Sequence, residues 1–489
     1  MQGINSIELA IFIALYVAAQ IAVGLWFARG AKSEKDFFLA GGRLGFLPIT
    51  LSLFATWFGA ETILGSSAAV AEGGLSGARA EPFGYAICLV GMALLIVGPI
   101  RQHGFVTVAD FIRVRFGVHA EVVTAAISIV ISVIWAGAQL LAIAAILETA
   151  IGVPGVITLF VAAIVVIFYC SFGGLMGDVV TDVIQSVFLI AGVALLFFML
   201  AAKFGGVGAM LTSIEPDQLR LVAPGESVFG RADAWAIPVI GSLVTQEAIT
   251  RFLAARSTAV AKSACYAAAL LYVGVGALPV IIGLAGAHMH FPGAEGDNFI
   301  PAVAVNVLSP FLAILFIGAL FSAILSTVDS NLLAVSSFFT INILKGVHRR
   351  SSERQRLMTA RLTTAAAGIA ALAVALAGSN IYDLIALTSI FGQGGILIAV
   401  MFGLRTRLGG PAAALASIYA CVSFNIATML IMPLMDAMGQ GMSVTAALQA
   451  VVAGDVEPMD GYFLYSIAVS IIAYVAVALV TPRHAPAAA

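Results

Sequence analysis

Residues 322–331 read "SAILSTVDSN" and place four hydroxyls, a carboxylate and an amide inside a stretch that is otherwise apolar. On a helix, positions i, i+3 and i+4 share a face, so Ser326, Asp329 and Ser330 align. An ionised carboxylate in the interior of a membrane costs roughly 2.5–3.5 kcal/mol. Hydroxyls alone are also typical of helix packing in membranes. The cost of Asp329 favours instead a bound cation that prefers oxygen ligands.

The composition of the whole chain indicates a membrane protein. Of its 489 residues, 61% are hydrophobic and 10% are charged, whereas about a quarter of the residues are charged in soluble domains. Apolar runs of about 20 residues are long enough to cross a bilayer as helices. Only helices and closed barrels satisfy their backbone groups in lipid, and these runs are too long for barrel strands. The predicted fold class is therefore an all-α polytopic membrane protein.

Hydropathy predicts about thirteen transmembrane helices. They lie at residues 6–28, 46–71, 82–100, 119–150, 155–172, 177–203, 234–255, 262–287, 309–344, 360–378, 381–403, 410–432 and 461–481.

The distribution of basic residues predicts the orientation. Of the 23 Lys and Arg residues, 19 fall in one alternate set of connecting segments. The other set holds only four, which are Arg79, Lys203, Arg220 and Arg231. Because cytoplasmic loops carry the excess of basic residues, we expect the N-terminus outside and the C-terminus in the cytoplasm of a cell (inner) membrane. The opening "MQGINSIE" lacks the basic region of a signal peptide, so the first helix is expected to be retained.

Several classes of protein are disfavoured by what the sequence lacks. The Cys and His residues show no metal-ligand or disulfide spacing, and no Walker-type "GKS" or "GKT" occurs. Nothing resembles a Ser-His-Asp set or a pair of catalytic carboxylates, so an enzyme is not predicted. The basic run "KGVHRRSSERQR" is interpreted as a cytoplasmic loop and not as a nucleic-acid patch. No nucleic acid and no obligate protein partner is expected.

Two spans are interrupted in the middle, and their positions predict an internal repeat. The second span carries Glu61 just after a break near residues 57–59, and the seventh carries Pro238 and Gly241 before Gln246. Spans two to six and seven to eleven thus form two sets of five that each begin with a broken helix. Because each set has an odd number of helices, the second set starts on the opposite side of the membrane from the first. The two sets therefore run in opposite directions, which is typical of inverted-repeat transporters. The alternative is that Gly and Pro serve helix packing alone.

The predicted boundaries follow from this repeat. They are 1–45 for the first helix and a cytoplasmic loop, 46–204 for the first repeat, 205–233 for an extracellular loop, 234–409 for the second repeat and 410–489 for the C-terminal helices.

Two further acids, Asp178 and Asp182, follow "FGGLMG" at the start of the sixth span. Asp178 is expected at the cytoplasmic edge of the membrane, where a charge costs little, and Asp182 lies one turn deeper. Asp182 is interpreted either as a carboxylate favoured by a helix N-terminus or as a cation ligand on the inward path.

Three ordered motifs, "FGGLMGDVVTDVIQ", "ITRFLAARS" and "AILSTVDSNLLAVSS", together resemble the sodium:solute symporter family. That family includes sodium/glucose, sodium/proline and sodium-coupled choline transporters, and the resemblance covers essentially the whole chain. It implies a five-plus-five inverted-repeat core like that of the sodium-coupled leucine transporter, with flanking helices. It also implies Na⁺ as the coupled ion and a small-molecule substrate.

The resemblance implies a main sodium site between the second and ninth spans. Its ligands would be the carbonyls of Ala55, Phe58 and Ala323 and the hydroxyls of Ser326 and Thr327. A further ion, or an exit path, would use Asp182, Ser326, Asp329 and Ser330. Other members of the family carry Ser where this chain has one of these acids, so Asp329 either strengthens that site or accepts a hydrogen bond.

The resemblance also implies a set of substrate-facing residues. They are Trp57, Glu61, Thr62, Glu81, Tyr85, Trp135, Thr245, Gln246 and Glu247. The aromatic members match the choline branch, where ring faces attract organic cations by roughly 0.5–2 kcal/mol each. Thr245 replaces a further aromatic of that branch, and Glu81 matches an acid that binds sugar hydroxyls in another member. Gln393 is also expected to face the pocket.

The function predicted from the sequence is a sodium-coupled symporter that imports a small polar solute by alternating access. A cationic or zwitterionic solute, such as a choline-like amine or an amino acid, is favoured. A proton-coupled carrier, a solute sensor and a channel remain alternatives.

Overall fold

The computed structural model describes residues 6–28, 33–78, 80–102, 104–151, 153–345, 351–378, 384, 388, 391, 393–446 and 459–481. These residues form helices and one isolated bridge, between Leu44 and Ala255, with no β-strand among them. The first ten described helices are α1 Ser6–Ala28, α2 Glu34–Leu39, α3 Phe46–Trp57, α4 Ser66–Gly73, α5 Phe83–Leu95, α6 Val97–Arg101, α7 Val108–Phe116, α8 Val118–Ile151, α9 Gly155–Lys203 and α10 Val207–Thr212.

Ten further described helices complete the bundle. They are α11 Val228–Ile240, α12 Gln246–Ala254, α13 Thr258–Gly286, α14 Phe299–Val307, α15 Pro310–Ser337, α16 Glu353–Ala377, α17 Gln393–Arg405, α18 Pro411–Ile426, α19 Met432–Gly439 and α20 Tyr462–Val480.

The number and character of these helices make this a multi-pass membrane protein. Seven described helices are long and apolar enough to cross a bilayer, and the bent pair Phe46–Trp57 with Glu61–Ser76 adds an eighth. Large apolar side chains face outward, and Leu270 and Leu479 are 76% and 73% exposed. The predicted number of about thirteen spans is consistent with this arrangement, although part of the span 381–403 lies outside the described residues.

The second span is broken, as predicted. Helix α3 ends at Trp57, and the chain resumes as a π-helical segment, Glu61–Gly65, that leads into α4. The two halves meet at an angle of 61°. Gly59 lies in the break, where it donates its amide hydrogen to the carbonyl of Trp57 at 2.8 Å. In a continuous helix that amide would bind Ala55, so the break removes the helical partner of the Ala55 carbonyl.

The seventh span is broken too. Helix α11 runs into a 3₁₀ segment, Gly241–Val244, and the backbone is extended at Thr245 before α12 begins. Both predicted repeat segments, 46–204 and 234–409, therefore contain a broken span near their start. The boundaries themselves remain predictions.

The fifth and sixth predicted spans both lie within α9, and the helical backbone is interrupted between them at Gly174. Gly174 has φ +56°, a left-handed value that favours glycine, and a Cβ there would lie 2.8 Å from a ring carbon of Phe37. Glycine thus permits both the turn and the close approach of the N-terminal segment.

Helix α15, which contains the "SAILSTVDSN" stretch, lies at the centre of the bundle. Every residue from Phe316 to Ser337 is buried. Polar groups on all sides of this helix must therefore bind other protein groups or a ligand.

Candidate functional site

The broken turn of the second span lies directly against α15. A Cβ built on Gly59 would lie 3.0 Å from Oγ1 of Thr327, so the break and this hydroxyl touch. Ser326 and Thr327 both donate to the carbonyl of Ala323, at 3.1 and 3.4 Å. The end of α3, which carries Ala55 and Phe58, is buried at the same place. The two elements predicted to supply the sodium ligands are therefore in contact, and the ligand roles remain a proposal.

A buried cluster of charges lies on the same helices. Arg251 of α12 is 1% exposed. Its guanidinium donates to Asp178 at 2.8 Å, to Asp182 at 3.1 Å and to the hydroxyl of Ser52 at 2.9 Å. It also donates to Ser330. Four helices, α3, α9, α12 and α15, meet at this one side chain.

The burial of Asp178 corrects the expectation that its charge costs little. We expected this acid at the cytoplasmic edge, where a charge costs little, but it is only 2% exposed. Its ion pair with Arg251 is the reason that a carboxylate is tolerated there.

Of the four residues predicted for a second ion, Asp182 and Ser330 belong to this cluster. Asp182 also accepts a hydrogen bond from Ser52, and Ser330 donates to the carbonyl of Ser326 at 2.8 Å. Asp329 accepts one from the thiol of Cys170. Arg251 thus already supplies a fixed positive charge beside Asp182 and Ser330. Whether sodium joins it there remains a prediction.

A cavity of about 110 Å³ opens between the two broken spans, next to the break in α3. Seven of the nine predicted substrate residues line it: Trp57, Glu61, Glu81, Tyr85, Trp135, Thr245 and Glu247. Gln393, which was expected to face the pocket, lines it as well.

Each of the three carboxylates of this cavity accepts a hydrogen bond from an aromatic side chain. The hydroxyl of Tyr85 donates to Glu61 at 3.0 Å, and the indole of Trp57 donates to Glu247 at 3.5 Å. The rings of Trp57 and Tyr85 pack with centroids 5.0 Å apart. Tyr272 donates to one oxygen of Glu81 at 3.5 Å, and the other oxygen is buried with no hydrogen-bond partner among the described residues. None of the described residues that line the cavity is Lys, Arg or His.

Two predicted substrate residues lie outside the cavity lining. The hydroxyl of Thr62 binds that of Tyr272 and the carbonyl of Trp57. The carboxamide of Gln246 accepts from the amide of Val108 at 3.0 Å and donates to the carbonyl of Val106 at 2.8 Å. Both side chains bind backbone groups in this structure, and their contact with the solute stays a prediction.

Sequence reasoning missed several residues of the site. Ser132 and Asn331 lie one helical turn from Trp135 and Thr327, so helical spacing could have found them. Tyr462 and Phe463 come from α20, and no local signal connects them with the cavity.

The fold and this site define a class of protein. One span is broken in the middle and packs against a buried, hydroxyl-rich helix, and a cavity lies between this span and a second broken one. This is the arrangement of LeuT-fold secondary transporters. A solved structure of a Na⁺-coupled sialic acid symporter, in a substrate-bound outward-open state, superposes with a TM-score of 0.81 at 20% identity, covering 98% of this chain and 99% of that chain. The predicted fold class is thereby confirmed.

The sequence comparisons place the chain within that class. Residues 37–407 match the sodium:solute symporter family, and the chain belongs to this family. It is 28% identical to high-affinity choline transporter 1 of Drosophila melanogaster, over 76% of this chain and 62% of that protein. It is also 28% identical to the sodium/glucose cotransporter of Vibrio parahaemolyticus, over 89% of this chain and 88% of that protein. The family consists of transporters and not of enzymes.

Proposed function

We propose that this protein is a sodium-coupled symporter that imports a small organic cation. The single observation that carries the solute class is the cavity between the broken spans. It contains three carboxylates, from Glu61, Glu81 and Glu247, and no basic side chain among its described lining residues.

The ion part of the proposal is supported by the contact between the broken turn and α15. Main-chain carbonyls at a helix break and neutral hydroxyls form the kind of oxygen cage that suits a small hard cation. Ala55 lies where the break removes a helical hydrogen bond, and Thr327 touches the break at Gly59. Membership of the sodium:solute symporter family supports Na⁺ as that cation.

The solute part is supported by charge and by aromatic faces. A cation in this cavity would offset the buried carboxylates and would lie beside the rings of Trp57, Tyr85 and Trp135. The unpartnered oxygen of Glu81 would accept an N–H or O–H of the solute. An amine that carries such a donor fits these groups better than an anion does, because an anion would add a fourth negative charge.

The two ligands would act on each other through the same helix. Sodium would hold the end of α3 against α15, and this would fix Trp57 and Glu61 on either side of the break. By thermodynamic linkage, each ligand then raises the affinity of the other by the same factor.

A thermal-shift screen of the purified protein tests the proposal. Choline, betaine, amino acids, diamines, sugars and carboxylates are compared in sodium and in potassium buffer. We expect stabilisation by a cationic solute that is larger in sodium, since a ligand that binds only the folded state raises its stability. Stabilisation by a sugar or an anion alone would contradict the solute class.

Uptake into proteoliposomes then tests coupling. Solute accumulation driven by an inward sodium gradient supports symport, whereas accumulation driven only by a pH gradient in sodium-free buffer would favour proton coupling. Glu81→Gln should weaken solute affinity roughly tenfold or more, because it removes the charge that a buried cation would pair with. Glu72→Gln is the matched control, because Glu72 lies nearby in the sequence, at the end of α4, but is exposed and outside the cavity lining.

A further inference from the structure

Gln139, near the middle of α8, is a buried polar residue with unmet hydrogen-bonding capacity. The side chain is 1% exposed. Its carboxamide oxygen has no hydrogen-bond partner within the described ranges of the chain. A buried acceptor without a partner costs about 1–3 kcal/mol. A ligand that binds this oxygen would remove that cost.

The oxygen points at the broken turn of the second span. A Cβ built on Gly59 would lie 3.3 Å from Oε1 of Gln139 and 3.0 Å from Oγ1 of Thr327. Two oxygens from different helices, α8 and α15, thus face the same point of the break.

This point lies one helical turn away from the solute cavity. On α8, Gln139 comes four residues after Trp135, which lines the cavity. On α15, Thr327 comes four residues before Asn331, which also lines it. The carboxamide of Gln139 therefore lies beside the break, where the cation is proposed to bind, and does not line the cavity itself.

We propose that the carboxamide oxygen of Gln139 is a further ligand of the coupled cation, in addition to the five oxygens predicted from α3 and α15. The proposal rests on the proposed function, since it requires a cation at the break. A neutral amide oxygen is a ligand type that hard cations accept, and binding would supply the partner that the buried oxygen lacks. The ion would then join α8 to α3 and α15, so that the third span of the first repeat also responds to its binding.

Binding of ²²Na⁺ to purified protein tests this role without knowledge of the solute. Gln139→Leu removes the oxygen at similar volume and should raise the sodium concentration for half-maximal binding roughly tenfold or more. Gln139→Glu keeps an oxygen and adds a charge, so sodium binding should be retained or tightened. The sodium-induced rise in melting temperature should follow the same order.

Thr124→Val is the matched control. Thr124 lies on the same helix, is also fully buried and also has a hydroxyl oxygen without a partner in the described structure. It is about 22 Å from Gln139 along the helix axis at 1.5 Å per residue. Its substitution should leave sodium binding unchanged.

Each outcome separates this proposal from the function on which it rests. Wild-type sodium affinity in Gln139→Leu would overturn the ligand role, while sodium binding by the wild type would still support symport. Absence of sodium binding in the wild type would overturn both. If the Leu variant does not fold, Gln139→Asn, whose oxygen is withdrawn by one methylene, replaces it. Weakened binding then supports the proposal and unchanged binding overturns it.

Discussion

Arg251 is the largest side chain that is fully buried in the described structure. It is compensated by two carboxylates, at 2.8 and 3.1 Å, from positions 73 and 69 residues away in the chain. The removal of one partner from a buried ion pair costs about 3–5 kcal/mol, because the other charge is left uncompensated.

We therefore expect Arg251→Gln to lower the melting temperature of the detergent-solubilised protein markedly. Arg251→Lys keeps the charge but loses the forked guanidinium that reaches several acceptors. It should therefore lower the melting temperature less than Arg251→Gln does. Combining Arg251→Gln with Asp178→Asn should restore part of the stability, since one unpaired carboxylate is removed with the guanidinium. A double variant less stable than Arg251→Gln would show that Asp178 is not a partner of this charge.

The hydroxyls of Ser326 and Thr327 give a second prediction at the same scale. If they bind sodium, Ser326→Ala and Thr327→Ala should each raise the sodium concentration required for half-maximal uptake, on the order of tenfold. Protein level in the membrane should be unchanged, because each hydroxyl donates to the carbonyl of Ala323 on its own helix and neither residue forms an ion pair.

Ser337→Ala is the control for these variants. Ser337 is equally buried on α15 and donates to the carbonyl of Ala334 at 2.8 Å, two to three turns from the break. Uptake that keeps its wild-type sodium dependence in both Ser326→Ala and Thr327→Ala would mean that the sodium site is elsewhere.

At the scale of elements, the proposed sodium site at the break between α3 and α4 requires contact between α3 and α15. Gly59→Ala introduces a methyl group that would lie 3.0 Å from Oγ1 of Thr327 and 3.3 Å from Oε1 of Gln139. The side chains of Thr327 and Gln139 must then shift by a few tenths of an ångström. We expect a strong loss of sodium affinity, measured by ²²Na⁺ binding, with a modest loss of stability.

Gly73→Ala, at the C-terminal end of α4, has no atom within 4 Å of the added methyl group. It should bind sodium like the wild type. Equal sodium affinity in Gly59→Ala would show that close contact at the break is not required.

The short helix α12 shows how tertiary contacts maintain a broken span. Nine residues are too few for a helix to be stable alone. Its C-terminal carbonyls, at Leu253 and Ala255, accept from Arg101 at 3.0 and 2.8 Å, and a cation is favoured at that end of a helix. At its other end, Gln246 binds the backbone before α7.

For the whole molecule, the distribution of basic residues predicts an external N-terminus and a cytoplasmic C-terminus. Single cysteines introduced at exposed positions test this orientation. Thr212→Cys should react with an impermeant maleimide in intact cells, and Arg354→Cys only after the membrane is permeabilised. The native Cys88, Cys170, Cys265 and Cys421 are all buried and free, so background labelling should be low. Labelling in the reverse pattern would contradict the predicted topology.

The fold class and the existence of the two broken spans follow from the sequence. Hydropathy over about 20 residues is a local quantity, and so is the effect of Gly59 or Gly241 on a helix. The alignment of Ser326, Asp329 and Ser330 on one face needs only the helical period. These properties depend on residues close together in the chain, which is why one sequence was enough to predict them.

The partners of the buried charges were decided by the tertiary structure alone. Nothing local indicates that Arg251 pairs with Asp178, that Gln246 turns away from the cavity, or that α20 supplies Phe463 to it. A buried polar group must find its partner wherever the packing of distant helices places one, and in a bundle of similar apolar helices the hydrophobic pattern does not specify those neighbours. The sequence therefore determined which residues cross the membrane and where the helices break, and the packing determined which polar groups meet there.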